Sequence, residues 1–167
     1  MSHVSICEFT EPYEKQVSEL ILHIQQEEYN IAITKDDQPD LMNIPSFYQV
    51  KKGNFWVAEM GSRVVGTISL LDIGNNEVAL RKMFVAEEYR GSSFKIALRL
   101  LNRAISWAAD HSIKTIFLGT TPQFLAAHKF YQKHGFIKIA QKELPSTFPI
   151  VKVDKFFYKF QVENAAE

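Results

Sequence analysis

Polar and apolar residues alternate along residues 3–9, the two-residue period of a half-buried strand. Over residues 11–29 the period lengthens. Val17, Leu20, Ile21 and Ile24 fall on one helical face, and Pro12 is tolerated in the first turn. Residues 35–50 hold Asp36-Asp37, Pro39 and Pro45, which predicts a loop with one or two short helical turns. Two strands follow, 55–60 and 63–72, rich in Val, Ile and Leu and joined by a Gly61-Ser62 turn. A second turn at Gly74-Asn75-Asn76 leads into a third strand, 77–85, completing an antiparallel meander.

The period then becomes helical again. Over 93–111, residues Phe94, Ala97, Leu98, Leu101, Ile105 and Ala108 make an apolar stripe. A short buried strand is predicted at 115–118, and a helix at 122–134 closed by Gly135. Two further strands, 136–142 and 152–160, finish the pattern. The order predicts an α/β (α+β) fold with a mixed, mostly antiparallel central sheet flanked by helices. The strand–helix–strand unit ending at Leu118 should pair in parallel, with right-handed crossover.

With 167 residues the chain suits one domain with a substantial core, assigned to residues 1–162, with a frayed tail at 163–167. Thirteen phenylalanines point to an aromatic core. Formal charge balances to zero, which argues against nucleic acid or an anionic membrane as a bulk-charge partner. The single cysteine, Cys7, reads as core filler and makes a reducing, cytoplasmic setting the simplest expectation. No stretch reaches the ~20 apolar residues of a membrane span, and the first residues lack the features of a secretory signal. No histidine, cysteine and carboxylate cluster has metal-ligand spacing, so no metal is expected.

The candidate chemistry lies where the third strand gives way to the long helix, at Met83-Phe84-Val85 and then Tyr89-Arg90-Gly91-Ser92-Ser93-Phe94-Lys95. Amides at a helix start have no internal partner and carry the positive end of the dipole, so they suit a diphosphate. Gly91 lets the backbone come close, Ser92 and Ser93 can cap or donate hydroxyls, and Arg90 and Lys95 add charge. A solvated loop with serine caps is the competing explanation. Further on, Ala126-Ala127-His128-Lys129-Phe130-Tyr131-Gln132-Lys133-His134-Gly135-Phe136 reads as a helix running into Gly-Phe and a strand.

Together these two segments, with Val64-Val65-Gly66, resemble the GNAT acetyltransferases over roughly residues 55–160. The resemblance implies a strand ending at Val85 that splays from its neighbour, acetyl-CoA as co-substrate, and transfer of acetyl to a primary amine. Pantetheine would bond the main chain of Met83, Phe84 and Val85. The pyrophosphate would sit on the amides from Arg90 through Gly91, Ser92, Ser93 and Phe94 to Lys95. Tyr131 would protonate the departing thiolate as general acid. The chain departs from the family pattern at Ser93 and Lys95, where glycine or alanine is usual, and at Phe124, where asparagine is common. Glutamates that relatives often carry are replaced by Ala79 and Gly119. Glu77, two residues before Ala79 and on its strand face, is the candidate base, with a substrate carboxylate or water as alternatives. His128, near Tyr131 on its helix, is a candidate cofactor contact. The acceptor, a small-molecule or peptide amine, would enter between residues 25–30 and 144–149. A homodimer stays open, as does a non-catalytic acyl-CoA-binding or regulatory module of the same fold.

Overall fold

Residues 3–91 and 95–163 are described by a computed structural model. Three consecutive strands, β2 (Asn54–Met60), β3 (Arg63–Gly74) and β4 (Glu77–Val85), form the predicted meander, and β1 (Val4–Glu8) adds to its free edge. Helix α3 (Ile96–Asp110) then carries the chain to β5 (Thr115–Thr120), which pairs with β4 in parallel, as expected. Helix α4 (Leu125–Lys133), a short β6 (Ile137–Ile139) and β7 (Phe156–Gln161) complete the chain. Among the described residues seven strands run in the order β1-β2-β3-β4-β5-β7-β6, and only the β4–β5 pair is parallel.

Alternation along the strands fills two layers. Trp56 and Ala58 of β2, with Ile68 and Leu70 of β3, pack against Ile96, Leu100 and Leu101 of α3. Phe55 and Val57 point the other way, onto Val17 and Ile21 of α1 (Glu14–Leu22) and onto Leu41 and Tyr48. Tyr48 follows α2 (Ile44–Phe47), one of the short turns expected in the 35–50 segment. Gly66 lets α3 sit close to β3, because a Cβ there would stand 3.1 Å from a Leu100 methyl.

Four elements differ from their predicted form. The helical run 11–28 changes type: one 3₁₀ turn, then α1, then a π-helical turn over His23–Glu28. The wider turn brings Gln25 inward, where its side chain and that of Gln38 bond each other at 2.8 and 3.0 Å. Helix α4 starts at Leu125 rather than 122, because residues 121–124 close a turn from the Phe124 amide to the Thr121 carbonyl, 3.2 Å. Strand β6 stops at Ile139, where Glu143 caps the Ala140 amide at 2.7 Å and turns the chain. Strand β7 begins only at Phe156, since Asp154 donates its amide to Val151 O at 2.9 Å in a turn.

The β4–β5 junction shapes the rest of the molecule. Their pairing covers Glu77–Ala79 against Thr115–Phe117 and goes no further, although both strands continue. Beyond it β4 carries a bulge: Phe84 sits opposite Thr67, but Arg81 sits opposite Ser69. The extra residue is Lys82, held at φ +53°, with its carbonyl accepting from the Thr67 hydroxyl at 2.6 Å. Such a bulge bends and twists its strand. On its other edge β5 pairs with β7 throughout, from Thr115 opposite Gln161 to Thr120 opposite Phe156, and beyond Phe117 that is its one strand partner among the described residues.

Leu100 is fully buried between α3 and the sheet. Leu100→Ala should cost about 2–5 kcal/mol of stability, read as a lower urea midpoint at unchanged slope.

Candidate active site

Where β4 and β5 part, they leave a cavity of about 420 Å³. One wall is residues 80–85 of β4, whose β5-facing edge has no strand partner. Opposite stand Gly119 and Thr120 of β5 and Ala126, Ala127, Phe130 and Tyr131 of α4. The π-helical turn and the segment after it contribute Gln25, Tyr29, Ile31 and Ile33, and the chain before β7 contributes Phe148, Pro149, Val153 and Asp154.

Met83, Phe84, Val85, Arg90, Gly91, Phe124 and Tyr131 therefore meet around one space. Tyr131 is buried on α4, and its hydroxyl donates across the gap to the Met83 sulfur at 3.6 Å. Burial raises its pKa and the nearby Asp154 charge raises it further, so the phenol keeps its proton at neutral pH. Phe124 links two aromatic neighbours: its ring lies 5.9 Å from Phe84 and 4.8 Å from Tyr29, each edge to face. Arg90 turns back on the strand end. Its Nε donates to Val85 O at 2.9 Å, and its two terminal nitrogens bond the Glu28 carboxylate, one at 2.9 Å. Gly91 adopts φ +125°, a conformation side-chain-bearing residues rarely take.

Other expected site residues lie elsewhere. Glu77 opens β4 opposite Thr115, in the portion where the strands are still paired. Met83 lies six positions further on, about 20 Å along a strand. Glu77 shares the face of Ala79 as expected, but it lies below the fork and does not line the cavity. His128 is turned away too: one ring nitrogen meets the Tyr158 hydroxyl at 3.1 Å and the other the Thr121 carbonyl at 2.8 Å. Lys95 caps α3 in a left-handed conformation, outside the cavity lining. Ser92, Ser93 and Phe94 lie outside the described residues.

The bulge places a buried charge cluster behind the cavity wall, with Arg81 and Lys82 lining it. Asp40 accepts from the Tyr48 hydroxyl at 2.6 Å and faces Arg81 at 3.9 Å and Lys82 at 3.7 Å. Lys82 also donates to Gln38 at 2.5 Å. Burial takes the Lys82 ammonium down to about 8, against the opposing pull of Asp40. Across the cavity, burial takes the Asp154 carboxyl up to about 6, although Arg81 and Lys82 favour its charged form. The Asp154 side chain lies over Gly119: its Oδ2 stands 2.7 Å from where a Cβ on that glycine would be. None of Arg81, Lys82, Asp40 and Asp154 stood out in the sequence. Each is an ordinary charge next to a strand or turn until the bulge and the β5–β7 register bring them together.

A mixed sheet with a forked parallel pair, and a helix tyrosine facing across the fork, frame the cavity. The model of the acetyltransferase (GNAT) family matches residues 18–136, and the chain belongs to that family. A GNAT-family acetyltransferase from Staphylococcus aureus Mu50 superposes with a TM-score of 0.93 at 41% identity, covering 96% of this chain and all of that one. An acetyltransferase from Streptococcus agalactiae 2603 gives 0.90 at 31% identity, covering 95% and 98%. The PaiA N-acetyltransferase of Thermoplasma acidophilum, solved in complex with coenzyme A, shares the fold at a TM-score of 0.74 and 19% identity, covering 95% and 99%. Among curated proteins, the N-acetylaspartate synthetase of Danio rerio is 35% identical over 106 residues, 62% of this chain and 37% of its own length. The chain thus spans little more than a third of that relative.

Lys82 yields a stability prediction. Its folded-state pKa of about 8 lies below the ordinary 10.5, so between those values the unfolded chain binds more protons than the folded one. Stability should therefore rise with pH from about 8 to 10.5, and Lys82→Met should flatten that rise in thermal melts.

Proposed function

We propose that this protein is an acetyl-CoA-dependent N-acetyltransferase, with the acceptor amine attacking directly and Tyr131 as general acid. The carrying observation is the buried Tyr131 hydroxyl, aimed across the fork at the unpaired edge of β4. The residues present fit the co-substrate. The free edge at Met83, Phe84 and Val85 offers main-chain groups to the amides of a pantetheine arm. Ala126, Ala127 and Phe130 give that arm an apolar wall, and Arg90 and Gly91 sit at the mouth where a pyrophosphate would lie. Bound acetyl-CoA supplies an acyl carbon activated towards amines by its thioester.

The chain's own groups do the rest. Tyr131, protonated at neutral pH as a phenol and held so more firmly by burial, donates to the negative charge that develops on a leaving thiolate. Tyr29 and Phe124, in edge-to-face contact, add aromatic surface to the cavity lining. Arg81 lines the cavity and stands 3.9 Å from Asp40, and its guanidinium suits a small amine that also carries a carboxylate. The curated relatives named N-acetylaspartate synthetase, whose product name implies an amino acid acceptor, support the same acceptor class. The co-substrate site is that of an intracellular acetyl donor, in keeping with a cytoplasmic setting.

Acetyl-CoA should raise the melting temperature; a hundredfold excess over Kd corresponds to about 2.7 kcal/mol. Thiol release over a panel of amino acids and carboxylate-free amines then tests turnover. Tyr131→Phe should lower kcat by about 10²–10⁴ while acetyl-CoA affinity stays nearly constant. Cofactor binding without thiol release for any amine would identify a non-catalytic acyl-CoA-binding module instead.

A further inference from the structure

We infer that Asp154 is the group that removes the acceptor's proton, and that position 119 is glycine because the Asp154 carboxylate fills the space a side chain there would need. The inference rests on the acetyl-transfer reading above. Asp154 is the one carboxylate among the described residues that line the cavity, and it faces the same space as Tyr131.

Its position is fixed from both sides. The turn from Val151 O to the Asp154 amide, 2.9 Å, and the bond from the Lys155 amide to Thr120 O, 3.0 Å, hold the backbone against the end of β5. The β5–β7 register places Gly119 opposite Phe157. A Cβ at 119 would meet Asp154 Oδ2 at 2.7 Å and the Phe157 ring at 3.0 Å, so the glycine leaves one gap and the carboxylate occupies it.

The charges around Asp154 suit a base. Arg81 and Lys82 of β4 face it, Tyr131 of α4 lies within reach of its field, and neighbouring Gly119 and Thr120 of β5 carry no charge. Desolvation outweighs the two cations and raises the carboxyl to about 6, leaving it ionised at neutral pH yet more basic than an exposed aspartate. Lys82 is the competing base, but its ammonium is already engaged by Gln38 and Asp40.

An acceptor arriving as an ammonium gives up two protons over a turnover. Asp154 takes one, directly or through a water, and passes it to solvent. The second makes good the proton that Tyr131 gives to the sulfur as the C–N bond forms and the C–S bond breaks.

The test combines pH–rate profiles, acetyl-CoA titration calorimetry and pH-dependent melts for wild type, Asp154→Asn, Gly119→Ala and Lys82→Met. Asp154→Asn should lower kcat/KM by about 10²–10⁴ and remove an acidic-side inflection near 6, with acetyl-CoA affinity unchanged. Gly119→Ala, which keeps the carboxylate but displaces it, should lose rate as well. Apart from turnover, the folded state holds the Asp154 proton up to about 6, whereas the unfolded chain releases it near 3.8. Wild-type stability should therefore fall as pH rises between those values, and Asp154→Asn should lack that fall. Wild-type turnover combined with an unchanged rate and profile for Asp154→Asn would overturn the assignment and leave acetyl transfer standing. So would an inflection near 8 that disappears in Lys82→Met. A wild type that releases no thiol with any amine would remove the acetyl-transfer reading, and this inference with it.

Discussion

The parting of β4 from β5 is the constraint on which the molecule depends. Three residues of parallel pairing hold the two strands together at Glu77–Ala79. Beyond them β4 bends at the Lys82 bulge and stays with β3, while β5 leaves with β7. Most proteins pair or cover a strand edge, because unsatisfied main-chain groups are costly and sticky. Here an unpaired edge is kept inside the fold and lines a cavity. The two layers of core, α3 on one face and α1 with Tyr48 on the other, keep β2, β3 and β4 from closing the gap.

The same bulge ties the N-terminal segment to the site. By turning Arg81 and Lys82 towards Asp40, it joins β4 to a segment far away in sequence through buried charge and hydrogen bonds. Buried charges are expensive unless paired, and breaking one such pair typically costs about 3–5 kcal/mol. The cluster is thus poorly placed to add stability and well placed to fix the bulged wall of the cavity. Across the gap Asp154 is held by main-chain bonds of its own turn and by the absence of a side chain at Gly119.

Periodicity carried much of the fold. The meander, the parallel β4–β5 pair and the helix leading into Gly135 were legible because each repeats a period of two or 3.6 residues and ends on a turn residue. The π-helical turn at His23–Glu28 was not, since its residues suit an ordinary helix and the Gln25–Gln38 pairing that accompanies the wider form is a contact distant in sequence. The strand face of Glu77 was read correctly, but its height in the sheet depends on where β5 departs, which no local pattern encodes. His128 read as a candidate cofactor contact because its partners, Tyr158 and the Thr121 carbonyl, come from separate elements. Asp154 and Gly119 were invisible as a pair for the same reason: only the β5–β7 register makes them neighbours.

Amide hydrogen exchange with and without saturating acetyl-CoA tests the central claim most directly, because it reads the free edge of β4 itself. New protection should appear at residues 83–85, with no change at Glu77–Ala79, whose strand is already paired. Unchanged exchange at residues 83–85 under saturation, or protection confined to another part of the sheet, would contradict the account.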